Sequence, residues 1–406
     1  MTTVGGEPAM VLAQVPELRW TARTDSVHGV EEALATIWRA APATAIGADG
    51  EEHVVARASV LNLVAVSHAR ELAERAEADF AALAGRHPSR TILIEVRDPD
   101  GPRRIDAAVI AQCLVPRDGG AAICTETIRV VVGGEAGRHL ASIVPPLVVH
   151  DLPVTLWWAG DVPFEAADFH AVARAAVSAD RLVVDGSAWR DDGLAGVRRL
   201  GQVLAASSVA ISDFALMRQS RWREAIAAAF DEADLMPFVR SIREVTVSFA
   251  AGGSEAATAA PTNIVRPLYH AAWLGSRLEW TVKRPIERLP DGRWVAQARR
   301  PRGTVEVALV PEVSSLPRGA TTRVSIVAAA RGSHLRVDVT AQAEAVVVRA
   351  SLDGSLVLDR AYQAARRTEA ELLAEAIESG GRVGVETATI RLAAELARDP
   401  GAEVLA

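Results

Sequence analysis

His150-Asp151, at the mouth of PPLVVHDLPVTLWWAG (145–160), is the acid–base pair in the chain most suggestive of chemistry. An imidazole beside a carboxylate can relay a proton. Neighbours on an extended backbone point to opposite sides, however, so adjacency alone does not make them a working dyad. Other reactive patterns fall short as well. VVVGGEAGRHL (130–140) reads as a strand, a Gly-rich turn and a helix start, able to turn N–H groups toward an anion. It lacks the lysine of a phosphate cradle, and a plain tight turn accounts for it. Neither G-x-G-x-x-G after a strand nor G-x-x-x-x-G-K-[ST] occurs. Gly252-Gly253-Ser254-Glu255-Ala256 misses the nucleophile elbow at its last position. The nine histidines are scattered, without H-E-x-x-H or zinc-type Cys/His spacing. The expectation is a protein with no catalytic residues, no metal and no cofactor.

The two cysteines, Cys113 and Cys124, flank the turn of AAVIAQCLV–PRDGG–AAICTETIRVVV. With Asp118-Gly119 as a type I′ turn, counting back places Cys113 opposite Cys124. In that register Pro116 takes a non-hydrogen-bonded site, where its missing N–H costs nothing. The cysteines then form a hydrogen-bonded pair with Cα atoms about 5.5 Å apart. They are either a strained, easily reduced cross-strand disulfide or two small buried thiols in a reducing compartment.

The elements around these residues alternate. SVLNLVAVS (59–67) is a buried strand, HARELAERAEADFAALAGRH (68–87) a helix with Leu72, Ala76, Phe80 and Leu83 on one stripe, and RTILIEV (90–96) a second strand. That order makes a right-handed βαβ unit. VEEALATIWRA (30–40) is a helix, as are GRHLASIVPPLVV, FEAADFHAVARAA and GLAGVRRLGQVLAA; VTLWWAG, RLVVDG and SVAISDF are strands. The pattern predicts an α/β fold, with an open, mostly parallel sheet covered by helices on both faces through the N-terminal two thirds. On such a sheet Trp157 and Trp158 can each pack under a different helix layer, or one can face a ligand or partner.

A helix RWREAIAAAFDEA stacks Trp222, Ile226 and Phe230, and RPLYHAAWLGSRLEW is a short helix. Beyond it, WTVKR, WVAQARR, TVEVALV, RVSIVAAA, LRVDVTAQ, AVVVRASL and SLVLDR read as a meander with turns at Asp291-Gly292 and Asp353-Gly354. Helices at 364–379 and 384–398 follow, giving a C-terminal α+β domain. The expected divisions are a loose arm at 1–25, an α/β domain at 26–250, a loop or linker at 251–263 and the α+β domain at 264–406.

At 406 residues, half of them hydrophobic, the chain has material for two or three cores. Its net charge of −7 argues against nucleic acid or an anionic membrane as main partner. The most apolar stretch, 140–160, is interrupted by Pro145, Pro146, His150, Asp151 and Pro153, so no segment reads as transmembrane. MTTVGGEPAM lacks the features of a secretory signal, and a cytoplasmic protein is the expectation.

Several blocks in one order carry a resemblance: LNLVAVS, HPSRTILIEV, ICTETIRV, SIVPPLVVHDLPVTLWWAG, ISDFALMRQSRWREAIAAAFD and HAAWLGSRLEW. Together they resemble the OpcA family, glucose-6-phosphate dehydrogenase assembly proteins of actinobacteria and cyanobacteria. The likeness runs from about residue 30 to 280 and more weakly to the end. It departs at Ala215, where the family often has an aromatic. It implies a non-catalytic partner that binds glucose-6-phosphate dehydrogenase, favours its active oligomer and raises its activity in the oxidative pentose phosphate pathway. In photosynthetic relatives it also implies a link to thioredoxin, for which Cys124 in the C-x-E-x-I block is the matching position.

A partner surface is expected to hold aromatic and arginine anchors. The candidates are Trp157, Trp158 and Asp151, then Arg218 and Arg221, then Trp273 with Arg277 at i, i+4. The alternative is an enzyme or sugar-phosphate sensor using the crevice at the carboxyl ends of parallel strands. There Asp161, Asp185, Ser212 and Asp213 would converge, with Arg218 offsetting their charge.

Overall fold

The computed structural model describes residues 18–40, 44–46, 51–98, 100–114, 121–160, 179–252, 262–379 and 384–399. The chain is an α/β protein whose described residues divide into two compact units, 18–155 and 156–399.

The first unit opens on β1 (Leu18–Thr24), α1 (Val27–Ala40), β2 (Thr44–Ile46) and β3 (Glu52–Arg57). Next come β4 (Leu61–Ser67), α2 (Arg70–Leu83) and β5 (Ser89–Val96), the expected βαβ unit, its strands parallel with Leu61 opposite Ser89. Every residue of β4 and β5 is buried, as a strand covered on both faces requires. α2 seals one face with Ala76, Phe80 and Leu83, and α1 buries Val30, Leu34 and Ile37. The hairpin β6 (Arg104–Leu114) and β7 (Ala122–Gly133) completes the sheet in the order β1-β6-β7-β5-β4, with β3 also parallel to the start of β7.

Three expectations for this unit change. Within the arm expected at 1–25, Leu18–Thr24 form the strand β1, antiparallel to β6. The helix expected over 137–149 is two four-residue turns, α3 (Glu135–Arg138) and α4 (Leu140–Ile143), then a 3₁₀ turn at Pro145–Leu147. Adjacent prolines remove two N–H donors and cannot continue an α-helix. In the hairpin Cys113 does face Cys124, and the two are disulfide-bonded, but their Cα atoms lie 3.9 Å apart. The Cys124 carbonyl accepts from Ala58 N–H at 3.1 Å, on the side away from β6, so this is a non-hydrogen-bonded pair. The expected register holds with the opposite hydrogen-bond phase, and such pairs bring side chains closer. The turn at Asp118-Gly119 lies outside the described residues.

β8 (Val154–Ala159) is buried along its whole length, Trp157 at 3 % and Trp158 at 1 % exposure. Each indole buries roughly 150–250 Å², on the order of 4–6 kcal/mol of transfer free energy. The helix expected at FEAADFHAVARAA lies outside the described residues. In the second unit β9 (Ala179–Val184) pairs parallel with β10 (Ala210–Asp213), linked through α5 (Leu194–Ala206). α6 (Phe214–Met217) and α7 (Ser220–Phe230) follow, then a 3₁₀ segment at Met236–Ser241.

The second sheet is the expected meander with one addition. It runs β12 (Thr281–Arg288), β13 (Trp294–Arg300), β14 (Gly303–Glu312), β11 (Ile242–Ala250), β15 (Thr321–Ala330), β16 (Ser333–Ala341), β17 (Ala345–Leu352) and β18 (Ser355–Gln363). β11 lies mid-sheet, parallel to β14 and antiparallel to β15. The boundary expected at 250 therefore falls on the wrong side of a central strand, because β11 belongs to this sheet. Alternation gives the sheet one apolar face: Val305, Val307 and Leu309 on β14, Val324 and Ile326 on β15, Leu335, Val337 and Val339 on β16 are all buried. Asp353 and Gly354 both take positive φ, 49° and 86°, the type I′ conformation that Asp-Gly favours. α8 (Val265–Arg277), α9 (Glu369–Glu378) and α10 (Val385–Leu396) complete the unit. α9 starts on a capping box, with Thr368 Oγ1 accepting from Glu371 N–H and Glu371 accepting from Thr368 N–H.

Candidate functional site

The carboxyl ends of β9 and β10 carry three of the residues singled out from sequence, Asp185, Ser212 and Asp213. Asp213 closes β10 and caps α6, its Oδ1 accepting the N–H of Ala215 at 2.8 Å and of Gly186 at 2.9 Å. Its Oδ2 accepts the Tyr269 hydroxyl from α8 at 2.7 Å. Both side chains are wholly buried, at 0 % exposure. Burial, then the field of Asp185, pushes the Asp213 carboxyl up to about 7, against three hydrogen bonds that pull it down. Burial likewise raises the Tyr269 phenol well above its ordinary value. The approach of Gly186 depends on its missing side chain, since a Cβ there would lie 2.7 Å from both Asp213 Oδ2 and Val265 Cγ1.

Asp185 is held by the turn it starts. Its Oδ1 accepts Ser187 N–H at 3.0 Å and Ser187 Oγ–H at 2.5 Å, while Oδ2 accepts Arg218 Nη1 at 2.7 Å. Arg218 reaches on to Glu369 at 3.6 Å and lies over the Phe214 ring at 5.6 Å. Arg266 donates to Ser187 Oγ at 3.0 Å, and Asn263 Nδ2 donates to the carbonyls of Gly186 and Trp189 at 2.9 and 3.0 Å. Ser212, also wholly buried, accepts Arg181 Nη1 at 2.6 Å and donates to Glu386 Oε2 at 3.1 Å. Burial raises the Glu386 carboxyl and lowers the Arg181 guanidinium.

These groups are spent on one another. A carboxylate with three donors and no exposed surface meets no substrate in this conformation; it ties strand ends to α6 and α8. Asp185 and Asp213 thus lie near one another with protein filling the space between them, while Ser212, one residue before Asp213 on the strand, bonds Arg181 and Glu386 instead. Asp161 lies outside the described residues.

The partner candidates scatter. Trp157 and Trp158 are core residues, Trp157 against Phe214 with ring centroids 5.7 Å apart, so neither indole offers surface to a partner. Arg218 is a structural clamp. Asp151 is exposed on a turn with φ 70°. Arg221 is exposed and paired with Glu224 at 2.6 Å. Trp273 is half-buried and Arg277 exposed on α8. The Cys113 and Cys124 side chains are 2 % and 0 % exposed, beneath Trp38 and Val55, so a reductant has no sulfur to reach in the folded state.

Sequence reading missed a buried ion cluster in the first unit. Glu126, wholly buried on β7, accepts Trp38 Nε1 at 2.7 Å and Arg90 Nε at 2.8 Å and also pairs with Arg57. It missed a hollow of about 210 Å³ in the second unit too, with Phe249, Trp294, Pro311 and Val313 for walls and Arg288 and Asp291 among its lining. No group of three or more metal-ligating side chains occurs among the described residues. No described helix is long and apolar enough to cross a membrane.

Fold and site together define a two-unit α/β protein whose polar centre binds its own strand ends and helices. Two family profiles match it in order, the glucose-6-phosphate dehydrogenase subunit N-terminal domain over residues 80–201 and the corresponding C-terminal domain over 209–383. The chain belongs to the OpcA family, that of glucose-6-phosphate dehydrogenase assembly. It is 25 % identical over 202 residues to a Synechocystis protein named as the OxPP cycle protein OpcA, an overlap of 49 % of this chain and 39 % of the relative. The namesake from Synechococcus elongatus is 25 % identical over 182 residues, 45 % of this chain and 38 % of the relative. The chain thus matches about two fifths of the length of these curated relatives.

Among solved structures, the regulator Gal80p of Kluyveromyces lactis aligns at a TM-score of 0.41 and 10 % identity, over 82 % of this chain and 85 % of its own. A Saccharomyces cerevisiae Gal80p mutant aligns at 0.41 and 9 %, over 79 % and 85 %. At those values the likeness carries no functional weight.

Proposed function

We propose that this chain is a non-catalytic partner of glucose-6-phosphate dehydrogenase that binds the enzyme and favours its active oligomer. The observation that carries the reading is the pair of family matches, which span most of the chain in the order of a two-domain dehydrogenase subunit. The polar centre agrees with it, since its carboxylates are engaged in structural bonds. Physically, an assembly factor shifts the enzyme's oligomer equilibrium only by binding one state more tightly than the other, with coupling typically about 1–3 kcal/mol. The test mixes the purified chain with the dehydrogenase of the same organism and follows particle mass and rate together. A larger or more populated oligomer with raised activity is expected. Unchanged mass and unchanged kinetics overturn the reading, as does turnover of glucose 6-phosphate by the chain alone.

A further inference from the structure

We propose that a hollow at the amino ends of β4 and β5 binds a small organic oxyanion, a phosphate ester or a carboxylate, through Arg57, Arg90 and His150. It measures about 500 Å³ and lies within the first unit. Pockets for small molecules span roughly 300–1,000 Å³. Arg57 ends β3, Ser59 stands just before β4, and Arg90 is the second residue of β5. The arginines and the histidine are fixed from behind. Glu126, wholly buried, pairs with Arg57 Nε and accepts Arg90 Nε at 2.8 Å. Arg57 also lies over the Trp38 ring at 5.2 Å, and Arg90 Nη1 donates to the Leu147 carbonyl at 3.0 Å and to Glu31 at 3.2 Å. His150 stands on the turn 149–152, which Asn62, wholly buried on β4, holds in place. Asn62 Nδ2 donates to the carbonyls of Val149 and Leu152 at 3.0 and 3.3 Å, and its Oδ1 accepts Val149 N–H at 2.7 Å. Groups held in this way lose little freedom when a ligand arrives.

A structural ion network accounts for part of this, since Glu126 and Glu31 balance the two guanidiniums. It leaves the rest unused. The Nη groups of Arg57, the Ser59 hydroxyl and the His150 ring have no hydrogen-bond partner among the described residues, and Arg57 and His150 are exposed. Arginines without a carboxylate occur elsewhere on the surface; here two of them share one hollow with a hydroxyl and an imidazole. Each of these groups can donate, and even a neutral imidazole keeps one N–H, so the complementary ligand brings acceptor oxygens. Guanidinium forks match the oxygens of phosphate and carboxylate. Val148, Val149 and Leu152 line the same hollow and give a carbon skeleton an apolar wall, which a bare inorganic ion leaves uncovered. Glu31, exposed on α1, competes with such a ligand for Arg90. Asp151, the sequence neighbour of His150, is not among the lining residues.

The test titrates the full-length chain by calorimetry with glucose 6-phosphate, citrate, inorganic phosphate and uncharged glucose. Glucose 6-phosphate or citrate is expected to bind at millimolar concentration or below, inorganic phosphate more weakly and glucose not at all. The tighter of the two organic anions names the head group. Arg57→Gln is expected to weaken that binding at least about tenfold and His150→Ala at least about threefold, the scale of single hydrogen bonds to a charged group. Glu31→Gln is expected to strengthen it about two- to fivefold by removing the competing charge. Asp151→Asn, a change on an exposed side chain beside the site, stays within about twofold. Circular dichroism and melting confirm that each variant is folded. His150→Ala alters an exposed side chain and tests the site by itself where Arg57→Gln, which touches buried Glu126, fails to fold. Absence of binding by both organic anions overturns the site, as does binding that His150→Ala and Arg57→Gln weaken no more than Asp151→Asn. Inorganic phosphate or glucose binding as tightly as the organic anions overturns it as well. All of these outcomes leave the proposed function standing, because association with the dehydrogenase is measured separately and does not depend on this hollow.

Discussion

Asp213→Asn changes one group at the centre of the second unit, and it is expected to stabilise the protein above neutral pH. The folded carboxyl titrates near 7 because it is wholly buried and faces Asp185. In the unfolded chain it titrates near its usual value of about 4. Between about pH 4 and 7 the unfolded chain has released a proton that the folded one keeps, so stability falls as pH rises through that window. A displacement of about three units, at 1.36 kcal/mol each, puts the full penalty near 4 kcal/mol once the pH exceeds the folded pKa. Asparagine keeps an oxygen for the Gly186 and Ala215 N–H donors and offers its own N–H to Tyr269, as the protonated acid does. The expected gain is about 2–4 kcal/mol at pH 8, fading toward zero near pH 4.

His270 acts in the opposite sense. Burial, then the nearby Arg223, lowers its pKa to about 3, so its contribution is present above the unfolded value and is lost as pH falls toward 3. The two slopes oppose each other between about pH 4 and 6.5. The two partly offset each other in the wild-type profile, to which the raised Glu386 carboxyl also contributes, and the difference between variant and wild type isolates Asp213. Calorimetric unfolding at half-unit pH steps measures it. A variant that melts below wild type at pH 8, or a difference that does not vary with pH, refutes the burial penalty.

His270→Leu replaces a buried ring, neither of whose nitrogens has a hydrogen-bond partner, and should raise stability at pH 5 by about 1–3 kcal/mol, with a smaller gain at pH 8; a loss at both pH values in the same calorimetry contradicts this. Gly186→Ala drives a methyl into Asp213 and Val265 and should cost about 1–3 kcal/mol in urea unfolding, whereas a neutral outcome means the turn can give way. The Cys113–Cys124 bond, with both sulfurs buried, should survive dithiothreitol in the native protein and release two thiols in denaturant; rapid labelling of the native chain under reductant would show the sulfurs to be accessible. Trp158→Ala should destabilise by about 3–5 kcal/mol because it empties a fully packed site, and a change below 1 kcal/mol would argue against that packing.

Local signals in the sequence were strong where one element depends only on itself. The β4–α2–β5 unit follows from continuous apolar strands around a 3.6-period stripe, and the Asp353-Gly354 turn from its residue pair. That Asp185, Ser212 and Asp213 stand at the carboxyl ends of two parallel strands was legible for a related reason, since both strands carry continuous apolar runs. What occupies the space between them was not. Tyr269 is 56 residues from Asp213, and Glu386 is 174 from Ser212, so no local pattern links them. β1 alternates Leu18, Trp20 and Ala22 with Arg19, Thr21 and Arg23, a readable strand signal hidden beside an irregular N-terminal stretch. β11 went unread although IREVTVSFA alternates Val245, Val247 and Phe249 with Glu244, Thr246 and Ser248; which sheet it joins is set by partners distant in sequence.

The place of β11 bears on synthesis and dissection of the molecule. Its hydrogen-bonding partner β14 ends at Glu312, 62 positions after Ala250, so at about 5–20 residues per second a nascent chain carries β11 unpaired for roughly 3–12 seconds. During that interval a valine-rich segment stands open to chaperones or to another chain. A fragment begun at the apparent linker would lack its middle rung altogether, leaving β14 and β15 with raw edges, and such a piece should precipitate however well the remaining strands pair.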